Sequence, residues 1–463
     1  MIMNTTSMHH SYTALSDFRL INRRLLERCY APSSSAQINI SSSKSTLSND
    51  EFVTVTVTGV KNPSESDWVA MISPSNSNSV EACRLSKAYY FQTGDVAKLP
   101  LLCHYPIKAQ FMKNDPEYLS CKKERCSGSL KFHVVNIRSD IEFAFFSGGY
   151  LTPCLLARSN PIKFHNPKMP LYGHLSSIDS TATSMRLTWV SGDNQPQQIQ
   201  YGDGKKVTSQ VTTFSQYDMC SSHGIPSPGK DFGWHDPGYI HSAPGALSVI
   251  KAIADELKSN NVKSIFHIGD ISYATGFLAE WDYFLQLISP VASKLPYMTA
   301  IGNHERDYTS SGSVYGTPDS GGECGVPYET YFPMPNVKKD KPWYSIEQAS
   351  VHFTIISTEH DWSEYSEQYQ WIQKDLASVN RQKTPWLVFM GHRQMYHSVY
   401  NGDKKFVEAI EPLLLRNKVK KTWSLKRISE FGYLRGHATR TELKLEFVNS
   451  GTREVHDAFR IAK

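Results

Sequence analysis

From Glu51 the chain alternates in Phe52-Val53-Thr54-Val55-Thr56-Val57-Thr58, the period of a strand with one face in a core. Further β-rich runs at Ser129–Asn136 and Glu142–Phe146 are separated by Gly, Pro, Ser and Asn, which predicts a β-sandwich. After Asn166-Pro167 a second set of strands begins, including Ser184–Val190. Then the period changes. Ala246, Leu247, Val249, Ile250, Ile253, Ala254 and Leu257 recur at helical spacing, predicting an amphipathic helix entered at Pro244-Gly245. Apolar strands are expected at Lys263–Ile268, Val351–Ser357 and Pro385–Met390, with a helix near Glu367–Val379 between the last two. Such alternation points to sheets covered by helices. Ahead of all this, residues 1–45 read as a polar, Ser-rich leader that is loosely ordered.

Three of the apolar runs lead directly into polar motifs. Gly269-Asp270-Ile271-Ser272-Tyr273 comes after Ser264–Ile268, Gly302-Asn303-His304-Glu305 after Tyr297–Ile301, and Gly391-His392-Arg393 after Trp386–Met390. Ligands of open α/β sheets bind outside the carboxyl ends of the strands. Asp270, Tyr273, Asn303, His304 and His392 are therefore expected on one rim. Singly, Gly-Asp is a common turn and Asn-His-Glu a helix entry with Asn as cap. In order and together, a carboxylate, a phenol, an amide and imidazoles suit a metal site better than a lone base or nucleophile.

Gly-Asp-x-x-Tyr combined with Gly-Asn-His-Glu resembles the large, multidomain plant purple acid phosphatases, some of which are similar to nucleotide pyrophosphatase/phosphodiesterases. The likeness covers most of the chain. It implies fibronectin type III-like β-sandwich regions followed by an incomplete calcineurin-like metallophosphoesterase α/β sandwich. The expected division is a leader to residue 45, a β-sandwich over 46–165, a truncated fibronectin type III-like domain over 166–243 and a metallophosphoesterase domain over 244–463. By resemblance, Asp270 bridges two metals, Tyr273 is the tyrosinate on ferric iron, and Asn303 and His392 hold a divalent zinc, manganese or iron. His304 is then the histidine that binds phosphate and helps protonate the leaving group. Arg393, directly after His392 in the chain, is expected to touch substrate phosphate. The implied reaction is hydrolysis of small phosphate esters, with metal-bound hydroxide and Lewis-acid polarisation as its means.

The chain also departs from that pattern. The family has an Asp-x-Gly strand before Gly-Asp-x-x-Tyr, and none occurs between Pro237 and Gly269. It also has a late Gly-His-x-His, one histidine to each metal, and none exists here; Gly436-His437-Ala438-Thr439 has Thr where the second histidine belongs. Both gaps look like internal deletions, near Ala243–Pro244 and Lys421–Thr422. The loss of an Asp and two His leaves weakened metal binding and reduced or absent catalysis. A non-catalytic, degenerate phosphatase acting as an extracellular binding or structural protein is the alternative. Lost strands should also leave exposed sheet edges.

Charge and cysteines refine the picture. A net charge of +5 over 463 residues calls for neither nucleic acid nor a membrane surface as partner. No run of roughly 18 apolar residues predicts a membrane span. Met1 to Arg28 has no apolar stretch of the kind a secretion signal carries. Six of the eight cysteines (Cys29, Cys83, Cys103, Cys121, Cys126 and Cys154) lie in the first third, which fits disulfides and an exported chain, as the resemblance implies. Cys121 and Cys126, without a second close pair, read as disulfide or free thiol rather than a metal site. Asn4-Thr5-Thr6 and Asn39-Ile40-Ser41 match the glycosylation pattern.

Overall fold

The structure is a computed structural model that describes residues 35–41, 45–75, 106–150, 153–201, 204–221, 227–246, 262–335, 338–396, 403–419, 428 and 431–463. The first unit holds β1 (Gln37–Ser41), β2 (Glu51–Val60), β3 (Trp68–Ile72), β4 (Lys108–Phe111), β5 (Cys126–Val134), β6 (Glu142–Ser147) and β7 (Cys154–Arg158). They form two sheets, ordered β1-β2-β5 and β4-β3-β6-β7. The alternation of β2 works as expected. Val53, Val55 and Val57 are buried with Phe132, Phe143 and Phe145, while Phe52 is 67 % exposed. One boundary needs correction, because β1 falls inside the expected leader. Ile38 is buried in the sandwich core, and β1 pairs with β2 from Gln37↔Thr58 to Ser41↔Thr54.

Next come β8 (Leu171–Ser177), β9 (Ser184–Ser191), β10 (Gln198–Tyr201), β11 (Lys205–Thr208), β12 (Gln210–Thr212) and β13 (Tyr239–Ala246). Their sheet runs β12-β13-β9-β8, with β10-β11 as a separate hairpin. Here the structure overturns the helix entry at Pro244-Gly245. β13 continues through both residues, with Pro244 opposite Arg186 and Ala246 opposite Ser184. A proline is tolerated because β12 reaches only to Ser242, so beyond it β13 is an edge that does not use the missing N–H. The remaining helical positions, 247–257, lie outside the described residues.

The third set is β14 (Ile265–Ile268), α1 (Ala279–Ala292), β15 (Tyr297–Ala300), α2 (Asn303–Arg306), α3 (Val326–Tyr331), β16 (Tyr344–Gln348), β17 (Val351–Ile355), α4 (Glu367–Ser378), β18 (Trp386–Met390), α5 (Lys404–Arg416), β19 (Gly432–Ala438), β20 (Glu442–Asn449) and β21 (Val455–Ala462). β14 pairs in parallel with β15, and β17 with β18; β16 and the β19-β20-β21 sheet are antiparallel. Leu171, Tyr172 and Val190 of β8 and β9 share one core with Trp281 and Phe284 of α1 and Tyr331 of α3. Among the described residues β14 and β18 each have a single partner strand, and most of their side chains are only half-buried.

Helix α1 also ties the third unit to the first sandwich. Arg138 donates through both terminal nitrogens to Asp282, at 2.6 and 2.9 Å, and both side chains are buried. The disulfides Cys121–Cys126 and Cys220–Cys324 lie wholly among the described residues, the first settling the reading of that pair. No described helix is long and apolar enough to cross a membrane.

Candidate metal centre

The loop after β14 is bent in a way few residues accept. Asp270, Tyr273 and Thr275 all have positive φ, at 51°, 53° and 48°. Each such residue costs about 1–3 kcal/mol and needs surroundings that hold it. Two buried carboxylates do so. Glu305 accepts the N–H of Asp270 at 2.9 Å, of Ile271 at 2.7 Å and of Gly302 at 3.0 Å. Glu323 accepts from the Gly276 N–H at 2.7 Å and from the Trp281 indole at 3.1 Å. Burial, then the Asp270 charge, pushes Glu305 up to about 7. Gly302, not Asn303, is the cap of α2, because Glu305 reaches back to its N–H.

Two glycines of the motifs are required by close approach. A Cβ on Gly269 would lie 2.4 Å from the His392 ring, and one on Gly302 would lie 2.5 Å from Asp270. Their absence lets three strand exits meet. His392 Nε2 is 3.1 Å from Asp270 Oδ1 and 2.9 Å from Asn303 Oδ1. The Tyr273 hydroxyl donates to Asp270 Oδ2 at 2.9 Å. Asp270, Tyr273, Asn303 and His392 are thus brought together. His304 stands beside them: its ring packs 4.7 Å from that of Tyr273, its Nε2 is 4.0 Å from Asp270 Oδ2, and its Nδ1 contacts the Asp319 carbonyl at 3.2 Å.

Arg393 has a different setting. Its Nε donates to Glu359 at 2.8 Å and a terminal nitrogen to Asp307 at 2.8 Å, while the guanidinium lies 3.9 Å over the Tyr315 ring. The guanidinium is thus committed to two carboxylates and a ring. Glu359 contacts Arg393, and His360 contacts the Arg306–Asp340 pair.

The electrostatics describe a site that has closed on itself. Burial opposes the charge on both Asp270 and His392, yet their mutual hydrogen bond and attraction outweigh it, lowering the carboxyl and raising the imidazole. Burial and the Asp270 carboxylate hold the Tyr273 hydroxyl protonated, well above its ordinary value. His392 Nδ1 faces the Ile268 carbonyl at 3.0 Å and so carries a proton, which in the neutral ring leaves a lone pair on Nε2. That lone pair, Asp270 Oδ1 and Asn303 Oδ1 converge on one point. Asn303 is turned to present its oxygen because its amide nitrogen donates to Asp319 at 2.8 Å.

Three converging donors suit one divalent cation completed by water, the ligand number of an open zinc site. Asp270 and Tyr273, the pair that the resemblance assigns to a ferric position, are bonded to each other, and no further donor stands beside them among the described residues. No group of three or more His, Cys, Asp or Glu able to hold a metal exists among the described residues. Among the described residues the donor set therefore fits one metal and does not fit two. Glu305, Glu323 and Asp319 escaped the sequence reading as supports of the site. Glu305 was in view within Gly-Asn-His-Glu, whereas nothing local marks the other two.

Residues 36–166 match the Fn3-like domain from purple acid phosphatase, 231–424 the calcineurin-like phosphoesterase, and 409–458 the iron/zinc purple acid phosphatase-like protein C. The fibronectin-like match lies on the first sandwich. The chain is 32% identical over 455 residues to "Probable inactive purple acid phosphatase 27" of Arabidopsis thaliana, covering 82% of this chain and 70% of that protein. It is 33% identical over 468 residues to "Probable inactive purple acid phosphatase 1" of the same plant, covering 84% and 72%. A purple acid phosphatase from yellow lupin (Lupinus luteus) seeds superposes with a TM-score of 0.78 at 28% identity, over 92% of this chain and 96% of the lupin chain.

Proposed function

The chain belongs to the purple acid phosphatase family, and from that premise we propose that it is a member whose hydrolysis of phosphate esters is strongly reduced. The observation that carries this is the pairing of Tyr273 with Asp270. In the proposed scheme these are the residual donors of the ferric position, and each is satisfied by the other. Asp270, Asn303 and His392 would hold a single divalent zinc, manganese or iron, which when bound supplies Lewis acidity toward a phosphoryl oxygen. His304, with its side chain 30 % exposed, would contact a phosphate entering from solvent. We assign Arg393 to anchoring the Glu359 and Asp307 segments, since both carboxylates already hold its guanidinium.

Substrates on this reading are small phosphate esters. The disulfides Cys121–Cys126 and Cys220–Cys324 support an oxidising, extracellular setting.

The test is turnover of p-nitrophenyl phosphate at mildly acid pH by the purified full chain, beside the yellow lupin enzyme. Loss of even an outer partner of a metal site costs about 10–100-fold, so the expected deficit is at least about a hundredfold. Asp270→Asn should lower the residual rate further, since it removes the carboxylate from the three donors of the single metal. Turnover equal to that of the lupin enzyme, abolished by Asp270→Asn, refutes the reading.

A further inference from the structure

Strand β18 lies between two apolar surfaces. Leu387 and Phe389 pack with Ile410 and Leu414 of α5 in one core, while Trp386 and Val388 pack with Leu443, Leu445 and Ile461 in another. Successive side chains of a strand point to opposite faces, so α5 and the β20-β21 pair stand on opposite sides of β18. Between them is a cavity of about 380 Å³. Leu414 and Leu415 line it from the side of α5, and Leu443, Leu445, Phe459 and Ile461 from the side of the sheet. Such a volume, lined mainly by apolar side chains with a few polar groups, suits a small organic molecule.

The polar groups gather at one end. Lys463 Nζ donates to the Pro385 carbonyl at 2.9 Å and lies 5.2 Å over the Trp386 ring, at the start of β18. Arg381 lines the cavity from the turn just before, which is closed by the Lys383 and Thr384 N–H groups donating to the Asn380 carbonyl at 2.9 and 2.8 Å. Arg440 is held against the same turn, donating to the Gln382 carbonyl at 2.6 Å. Burial, then the charges of Arg381 and Arg440, hold Lys463 below its ordinary value, and burial lowers Arg381. Three cations thus crowd the Pro385 end, and an anion among them would relieve their repulsion. Lys418, just past α5, is a further cation of the lining. Glu411, the carboxylate of the described lining, is bonded to the hydroxyl of Tyr396, in the chain beyond the other end of β18.

A ligand matched to this cavity has one anionic head and an apolar tail. We propose that it binds a medium-chain alkyl carboxylate, with the head between Arg381 and Lys463 and the tail along β18. A guanidinium fork receives a carboxylate through two parallel hydrogen bonds. The five residues of β18 extend about 15 Å, which sets the length of the tail. The proposal does not depend on the state of the metal centre.

The test uses the full chain and decanoate below its micelle concentration, followed by isothermal titration calorimetry. One saturable site per chain is expected, with a negative heat-capacity change from burial of the tail. Decanol keeps the tail but lacks the charge, so it should bind at least about tenfold more weakly, and acetate should not saturate. Arg381 is exposed, so Arg381→Glu should weaken decanoate at least about tenfold while leaving the urea unfolding midpoint unchanged. Leu415→Glu, at a side chain 54 % exposed, should weaken it through the wall. Decanoate carrying a diazirine at the end of its tail should, on irradiation, label α5, β18, β20 or β21, read by mass spectrometry of the digest. Any of four results overturns the proposal: no saturable binding, equal affinity for decanol, tighter binding of decyl phosphate, or label confined to other parts of the chain. Binding unchanged by both substitutions overturns it as well.

Discussion

Replacing Asp282 by Asn should destabilise the chain more than any change in the candidate metal centre. Asp282 and Arg138 are 1 % and 5 % exposed, and two hydrogen bonds of 2.6 and 2.9 Å join them. With the carboxylate gone, the Arg138 guanidinium remains buried without its anion, and its Nε already lacks an acceptor. Breaking such a pair costs about 3–5 kcal/mol. With a urea slope of about 3 kcal/mol/M, the unfolding midpoint should fall by about 1 M or more. Tryptophan fluorescence and far-ultraviolet circular dichroism, followed together, would show whether the sandwich and the third unit still unfold as one. Arg138→Met combined with Asp282→Leu should recover the loss, because burying two apolar side chains there avoids desolvating charges. A midpoint unchanged by Asp282→Asn, or a double variant less stable than the single one, refutes the reasoning.

The disulfide Cys220–Cys324 closes a loop of 104 residues, so replacing both cysteines by Ser should lower stability by about 4 kcal/mol, read as a shifted urea midpoint. Burial pushes Glu323 up to about 8 from an ordinary 4.5, so the folded chain holds a proton there that the unfolded chain releases. Its contribution is therefore fully favourable below the unfolded value and is lost as pH rises from about 5 to 8. Glu323→Gln should flatten that part of a stability profile measured by urea unfolding at successive pH values.

The parts of the fold that could be read from sequence were those with an unbroken local pattern. β2 follows from its alternation, and both it and α4 sit within about two residues of expectation. Pro244-Gly245 misled because the pair is equally at home entering a helix and on a strand edge, and only the partner strand β9 decides. The short β1 was lost in a Ser-rich stretch, since a single buried side chain, Ile38, holds it in the core. At the site, Asp270, Asn303 and His392 were legible because glycine precedes each donor motif at a strand exit. Glu323 and Asp319 were not. Both lie in irregular chain between α2 and α3, and their roles come from three-dimensional contacts with Gly276, Trp281 and Asn303. The Cys220–Cys324 pairing was hidden for the same reason, as spacing alone does not fix connectivity.

The central claim is that the donor set fits one metal and not two. Its most direct test is metal analysis of the purified full chain after exposure to ferric iron and zinc and removal of loosely held ions, with the visible spectrum recorded on the same sample. The predicted result is at most one divalent metal per chain and no absorption band from tyrosinate on iron, because Tyr273 stays protonated against Asp270. Two tightly held metals per chain and a purple solution would contradict it.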